Sequence, residues 1–253
     1  MDCISDSSDK LLKTRVEDTV QLCDKRSAPC FLGFLDLHEQ AVVSQLLSGM
    51  TGVSWSLSGG YEQAERRILS VFPDYYMPED IEYPLAAVGF TYRARHKMTH
   101  RDILGTLMAL GIRRDKIGDI LCSDGISIVF LHTDIAGYVC EQVDRIGREG
   151  VAVISDYNGP LPYHREYQEI NETIASPRLD VLVKTLCRCP RDKAAEAIRS
   201  GLVSINHMVN DSTSATVTAP CTLSIRGYGR FLIDRIGPET RKGRLQFEAR
   251  KCL

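Results

Sequence analysis

The sequence predicts an α+β protein in successive parts: an N-terminal helical and hairpin region over residues 1–82, a βαββαβ segment over 83–156, a linker over 157–175, and a C-terminal module of two helices and small strands over 176–253. Three observations carry this. Leu179, Leu182, Val183 and Leu186 recur with the period of a helix, β-prone and helical runs alternate between Leu85 and Ser155, and Gly and Pro punctuate both regions. The length of 253 residues suffices for two or three small domains, and 43% hydrophobic with 25% charged residues describes an ordinary soluble chain. No apolar run approaches the roughly 20 residues that span a bilayer, and Met1 to Asp9 is too acidic and polar for a signal peptide, so no membrane and a cytoplasmic location are expected.

From the start of the chain, residues 9–25 and 36–49 read as helices. Asp36 with Glu39 three positions on forms a capping box, and Leu37, Ala41, Val42 and Leu46 give the second helix one apolar face. Val53–Leu57 and Ile68–Phe72 read as strands around Gly59-Gly60-Tyr61 and Ala64-Glu65-Arg66. A Gly-Gly turn can offer backbone N–H groups to a phosphate, but the Gly-Lys-Ser/Thr ending of a P-loop is absent, which favours a tight structural turn.

The middle segment reads as strand Leu85–Tyr92, helix Arg101–Leu110, strands Ile117–Cys122 and Ile126–His132, helix Asp134–Ile146 and strand Val151–Ser155. Right-handed crossovers fold that order into a ferredoxin-like sheet with two helices on one face, the topology of RNA-recognition motifs, although the aromatic signature for base stacking is missing. Seven Lys or Arg lie between Arg93 and Lys116 against Asp102 and Asp115. Arg93, Arg95, Arg113 and Arg114 are therefore candidates for phosphate contact without base readout. The linker carries Pro160, Pro162 and Pro177 nearby, with Tyr157, Tyr163 and Tyr167 expected to pack.

In the C-terminal module an amphipathic helix spans Arg178–Arg188, Pro190 suits the first turn of a second helix that Gly201 closes, and Leu202–Asn206 and Thr222–Arg226 are strands. Residues 172–253 hold 14 Lys and Arg against 8 Asp and Glu, a net +6, whereas the remainder holds 17 against 25, a net −8. A basic end on an acidic body points to a polyanionic partner met by that end, or to a solvated basic face. The cations that would meet it are Arg178, Lys184, Arg188, Arg191, Lys193, Arg199, Arg226 and Arg230. Arg191 and Lys193 are the foremost, because the first turn of a helix already favours an anion.

Catalytic chemistry finds no constellation. His96 and His100 have i, i+4 spacing but no third ligand, no Rossmann glycine pattern occurs, and no Ser-His-Asp or Cys-His set is identifiable. Cys187-Arg-Cys189 lacks the second pair of a zinc site, so the nine cysteines read as free thiols in a reducing compartment. No catalytic residue, metal, cofactor or small-molecule substrate is expected.

Arg178-Leu179-Asp180, the cluster Arg191, Lys193 and Ala194, then Ile198, Gly201, Val203, Asn206 and Ser224-Ile225-Arg226-Gly227 resemble the alpha-L RNA-binding motif first known from small-subunit ribosomal protein S-four. Arg226-Gly227-Tyr228-Gly229-Arg230-Phe231 narrows the resemblance to the YlmH family of bacterial and plastid RNA-binding proteins. Gly59-Gly60-Tyr61 with Ala64-Glu65-Arg66, His100 to Gly105, Gly111 to Arg114 and Ile117 to Ile120 match the same family, extending the likeness from residue 31 to 249. Two departures stand out: Pro190 replaces a helix-capping Ser, and Pro220-Cys221 replaces Gly-Asp. The resemblance implies a non-catalytic protein that binds structured rRNA and tRNA on the large ribosomal subunit during rescue of stalled chains, in the cytoplasm or, in a photosynthetic eukaryote, the plastid stroma. The rival classes are an RNA-modifying enzyme, since some pseudouridine synthases carry an alpha-L module, and a cell-division-linked interaction protein.

Overall fold

The computed structural model describes residues 3–93, 95, 97–162 and 166–253, with side chains from residue 7 onward. It is mixed α+β with antiparallel sheets throughout, and it divides into two compact units, Met1–Tyr163 and His164–Leu253.

In the first unit, helix α1 (Cys3–Arg26) buries Leu12, Val16 and Cys23 from one face. Strand β1 (Cys30–Leu35), helix α2 (Leu37–Leu47) and strands β2 (Val53–Ser58) and β3 (Arg67–Pro73) follow, with the sheet order β1-β3-β2. The expected capping box starts α2: Asp36 Oδ1 accepts from the Glu39 N–H at 2.9 Å while Glu39 Oε2 accepts from the Asp36 N–H at 2.7 Å. β1 has no counterpart in the sequence prediction, because its run is apolar without alternation and interrupted by Gly33. The ladder with β3 shifts register between Leu32 and Phe34, and a Cβ on Gly33 would lie 2.4 Å from the Asp115 carbonyl oxygen. Glycine there lets the short 3₁₀ turn at Arg114–Lys116 lie against the strand.

The chain continues through β4 (Leu85–Thr91), α3 (His100–Ala109), β5 (Ile117–Ser123), β6 (Ile126–His132), α4 (Thr133–Gln142), a two-residue-strand hairpin of β7 (Arg145–Ile146) and β8 (Glu149–Gly150), and β9 (Ala152–Ile154). The sheet order is β5-β6-β4-β9, with every neighbouring pair antiparallel. Alternation gives the sheet two apolar faces. Val88, Phe90, Val129 and Leu131 pack with Ile103, Leu107 and Val139 of the helices. Ile128 and Phe130 face the other way, against Phe34 and Ile68 of the N-terminal sheet, with Tyr83 and Tyr157 at the margin. The face opposite the helices is therefore covered by this chain's own residues. Residues 1–82 and 83–156 accordingly occupy one unit. The predicted helix over Asp134–Ile146 overruns: it ends at Gln142, where Val143 turns to ψ 98 and is buried, and the chain enters the β7–β8 hairpin.

Gly59-Gly60 and its neighbours form the joint between the two sheets. Asp119 on β5 accepts from the Tyr61 hydroxyl at 2.7 Å and from the backbone N–H groups of Glu65 at 2.7 Å and Arg66 at 3.0 Å. Tyr61 stacks on Phe130 with ring centroids 5.0 Å apart. Gly60 has φ +91, and a Cβ there would lie 2.6 Å from the Phe130 ring. The pair is thus a structural turn that only glycine fits. Gly60→Ala is expected to destabilise the protein by about 3 kcal/mol, from left-handed strain plus overpacking; a denaturation midpoint equal to the parent's contradicts this.

The second unit holds β10 (Tyr167–Ile174), α5 (Leu179–Cys187), α6 (Arg191–Arg199), β11 (Val203–Ile205), β12 (Met208–Val209), β13 (Cys221–Ile225), β14 (Gly229–Glu239) and β15 (Leu245–Cys252). They form one sheet of order β10-β15-β14-β13-β11-β12. Within the predicted linker, residues 167–174 are a strand, paired with β15 along all eight positions from Tyr167↔Cys252 to Ile174↔Leu245. Its polar, mostly exposed residues carry no alternation, so only the distant partner defines it. The expected stripe holds: Leu179, Leu182, Val183 and Leu186 are buried with Ala194, Ile198, Val203, Leu223, Phe231 and Phe247. Of the linker tyrosines, Tyr157 lies against Gly89 and donates to the Pro160 carbonyl at 2.9 Å, Tyr167 carries the Arg250 guanidinium 4.9 Å above its ring, and Tyr163 lies outside the described residues.

Candidate nucleic-acid interface

Most of the sequence-predicted cations of the second unit fall at three places. At the first, Arg178 precedes α5, its backbone bridging to Thr216, and Arg191 opens α6. Between them lies Asp180, only 3% exposed. It accepts from Arg178 Nε at 3.0 Å and Nη2 at 3.2 Å, and from Arg191 Nε at 3.0 Å and Nη2 at 2.7 Å. The Arg178 hydrogen bond above all, with that of Arg191, holds the Asp180 carboxyl below the usual carboxylate range despite its burial. Arg191 is therefore part of a clamp around a buried charge, and its remaining guanidinium edge faces solvent with the side chain 60% exposed. Pro190 is the N-cap of α6 rather than a residue of its first turn, and it supplies no side-chain cap. Lys193 is exposed in that first turn.

The second place is a shallow depression where Arg226 and Arg230 meet Gly201, Ser204, Gly227 and Gly229. The β13–β14 turn that carries Arg226 needs positive φ at Gly227 (+86) and Gly229 (+109), which explains the spacing of those glycines. The third is a groove in which Arg188 and Tyr228 face Lys251 of β15, with Glu169 and Glu172 on β10. Arg188 closes α5 in the left-handed conformation at φ 49, and Lys251 lies 5.8 Å from the Phe231 ring centroid. Lys251 escaped the sequence reading because β15 was not recognised. Arg178 thus lies at the first place and Arg226 at the second. Lys184 and Arg199 are exposed on α5 and α6.

In the first unit the four predicted cations differ. Arg93 and Arg95 are exposed beyond the end of β4. Arg113 is exposed and grips Asp115 through Nε at 3.1 Å and Nη2 at 2.8 Å. Arg114 is turned inward, donating to the carbonyls of Ile117 and Gly118. Burial and the neighbouring Arg66 push its pKa down to about 10, so it remains a cation, but one spent on the fold. The Arg114 guanidinium, expected to meet phosphate, is engaged here by backbone carbonyls of its own unit. Of the histidine pair, His100 is the first residue of α3 and His96 lies outside the described residues. Every cysteine with a described side chain is a free thiol, and burial pushes Cys187 up to about 12. No helix among the described residues is long and apolar enough to cross a membrane.

Residues 78–157, covering the β5-β6-β4-β9 sheet, match the family model described as "Putative RNA-binding domain in YlmH". That places the chain among mixed α+β proteins of RNA-binding-domain type. The chain belongs to the YlmH family: it is 33% identical over 225 residues to the "Ribosome-associated protein quality control protein P2" of Bacillus subtilis, covering 86% of each chain. A solved structure, "Cell division protein ylmH from Streptococcus pneumoniae", shares the fold with a TM-score of 0.52 at 19% identity, over 58% of this chain and 90% of that one.

Proposed function

We propose that this protein binds structured ribosomal RNA and tRNA without catalysis, in the cytoplasm, and acts in quality control on large subunits stalled with peptidyl-tRNA. The observation that carries the reading is kinship over most of both chains with a relative named for ribosome-associated quality control. Two structural features support it. The net +6 of residues 172–253 is displayed on helix ends and a glycine turn, at Lys184, Arg188, Lys193, Arg199 and Arg226. The strand order β5-β6-β4-β9 is the one a ferredoxin-like βαββαβ chain adopts, and α5, α6 and β11 with β13 follow the element order of an alpha-L module. We read 176–253 as the RNA anchor and 83–156 as a backbone-contacting domain borne on the 1–82 region. With the sheet face covered by Phe34 and Ile68, the first unit meets RNA through loop cations such as Arg93, Arg95 and Arg113 and not by base stacking.

Crosslinking in cells, with sequencing of the bound RNA, is expected to enrich large-subunit rRNA and tRNA, with the protein cosedimenting with large subunits. Recovery of no RNA above background sinks the proposal. In vitro, about five phosphate contacts give a slope near −4 for log K against log salt. Salt-insensitive binding, or equal affinity for an unstructured oligonucleotide, contradicts it.

A further inference from the structure

Beyond the end of β4 the structure gathers cations that the sequence pattern left apart. Thr91 pairs with Ala152, its hydroxyl donating to the Ala152 carbonyl at 3.2 Å, so Arg93 leaves the sheet beside the segment that enters it. That segment is the β7–β8 hairpin, in which Arg145 pairs with Gly150 and Ile146 with Glu149. Ile146 is buried in the helix-side core and anchors the hairpin, the Val151 N–H donates to the Asp144 carbonyl at 2.9 Å, and Gly147 turns the tip at φ +59. Arg145 and Arg148 are exposed. Arg93, Glu149 and Gly150 line one shallow depression with Thr91 and Tyr92, and Gly150 pairs with Arg145 across the hairpin.

We infer that the β7–β8 hairpin is a phosphate-binding element, with Arg145 and Arg148 joining Arg93 to hold the backbone of a folded RNA. This rests on the RNA-binding reading above and adds a site to it. The hairpin is short, anchored by one buried residue and tipped by glycine, so its arginines are displayed on a fixed support. Arg93 borders the depression, while Arg145, paired with Gly150 of its lining, and Arg148 at the tip are exposed on the adjoining hairpin, so a backbone phosphate has cations on neighbouring elements to meet. Glu149 is the opposing charge in the depression, and it makes the inference testable in both directions.

The experiment is a salt series of binding by the full chain to a labelled hairpin RNA containing a duplex of about one helical turn. Arg145→Gln with Arg148→Gln is expected to weaken binding severalfold and to flatten the salt slope by about 1.4–1.8, two phosphates at 0.7–0.9 each. Glu149→Gln is expected to tighten binding about two- to threefold, a gain that misfolding cannot produce. A correctly folded double variant with the parent's affinity and slope overturns the hairpin site, as does a Glu149→Gln variant that binds no more tightly than the parent. Failure of the parent itself to bind any RNA overturns the RNA reading, and with it this inference.

Discussion

Asp119→Ala is expected to lower the unfolding free energy by about 3–5 kcal/mol, because three donors lose a charged acceptor at once. The Tyr61 hydroxyl and the Glu65 and Arg66 N–H groups all converge on this carboxylate within 3.0 Å. Around it sit Arg66, whose guanidinium donates to the carbonyls of Ile117 at 3.0 Å, Phe34 at 2.9 Å and Arg114 at 3.3 Å, and Arg114 itself. Burial pulls the pKa of Arg66 down, and Glu39, Asp36 and Asp119 counter it. Removing Asp119 therefore leaves two half-buried cations facing each other with less compensation. Asp119→Asn keeps the shape and part of the acceptor capacity and should fall between parent and Ala variant, while Tyr61→Phe should lose about 1 kcal/mol. Urea melts of the three variants measure this. A loss under 1 kcal/mol for the Ala variant would mean that the joint is held by the Phe34, Ile68 and Phe130 contacts alone.

Arg191→Glu is expected to destabilise the protein by about 2–4 kcal/mol, and so to abolish RNA binding for a reason unrelated to any phosphate. The substitution removes two charge-assisted hydrogen bonds from a carboxylate that is 3% exposed and sets a second carboxylate against it. Leu182, Leu186, Ala194 and Ile198 of the core are untouched by this change; the buried Asp180 beneath the helix start is what makes it costly. The pH dependence gives an independent check. The folded-state pKa of Asp180 is depressed, so its contribution is present above its unfolded value near 4 and is lost as pH falls through the folded value. In the variant the same carboxyl faces repulsion, its pKa rises, and protonation relieves the strain. The stability gap between parent and variant should accordingly shrink as pH drops below about 5 and stay constant from 6 to 8. A gap independent of pH down to 3 would show that Asp180 is not the source. Lys193→Glu, at a lysine that pairs with no carboxylate among the described residues, is the better probe of binding at this helix.

The sequence by itself determined the local elements and the distribution of charge. The period of Leu179, Leu182, Val183 and Leu186 defined α5 because one helix face is buried against one core, and the box of Asp36 and Glu39 placed the start of α2 because capping is a contact within four residues. Charge counting located the basic end, since it needs no geometry. β10 was not legible, because a polar edge strand is defined by hydrogen bonds to a partner more than seventy residues away, and its partner β15 is interior to the sheet. β1 was not legible either, its apolar run having no period and its bulge depending on Asp115. Which of the predicted cations are engaged by the fold was likewise decided only by the tertiary structure. Composition makes Arg113 and Arg114 equivalent and lists Arg191 beside Lys193. In the fold, Arg114 turns in to satisfy backbone carbonyls and Arg191 clamps a buried carboxylate, whereas Arg113 and Lys193 reach solvent. A guanidinium goes where a buried acceptor would otherwise be left without a donor, and only the packed chain shows which acceptors those are.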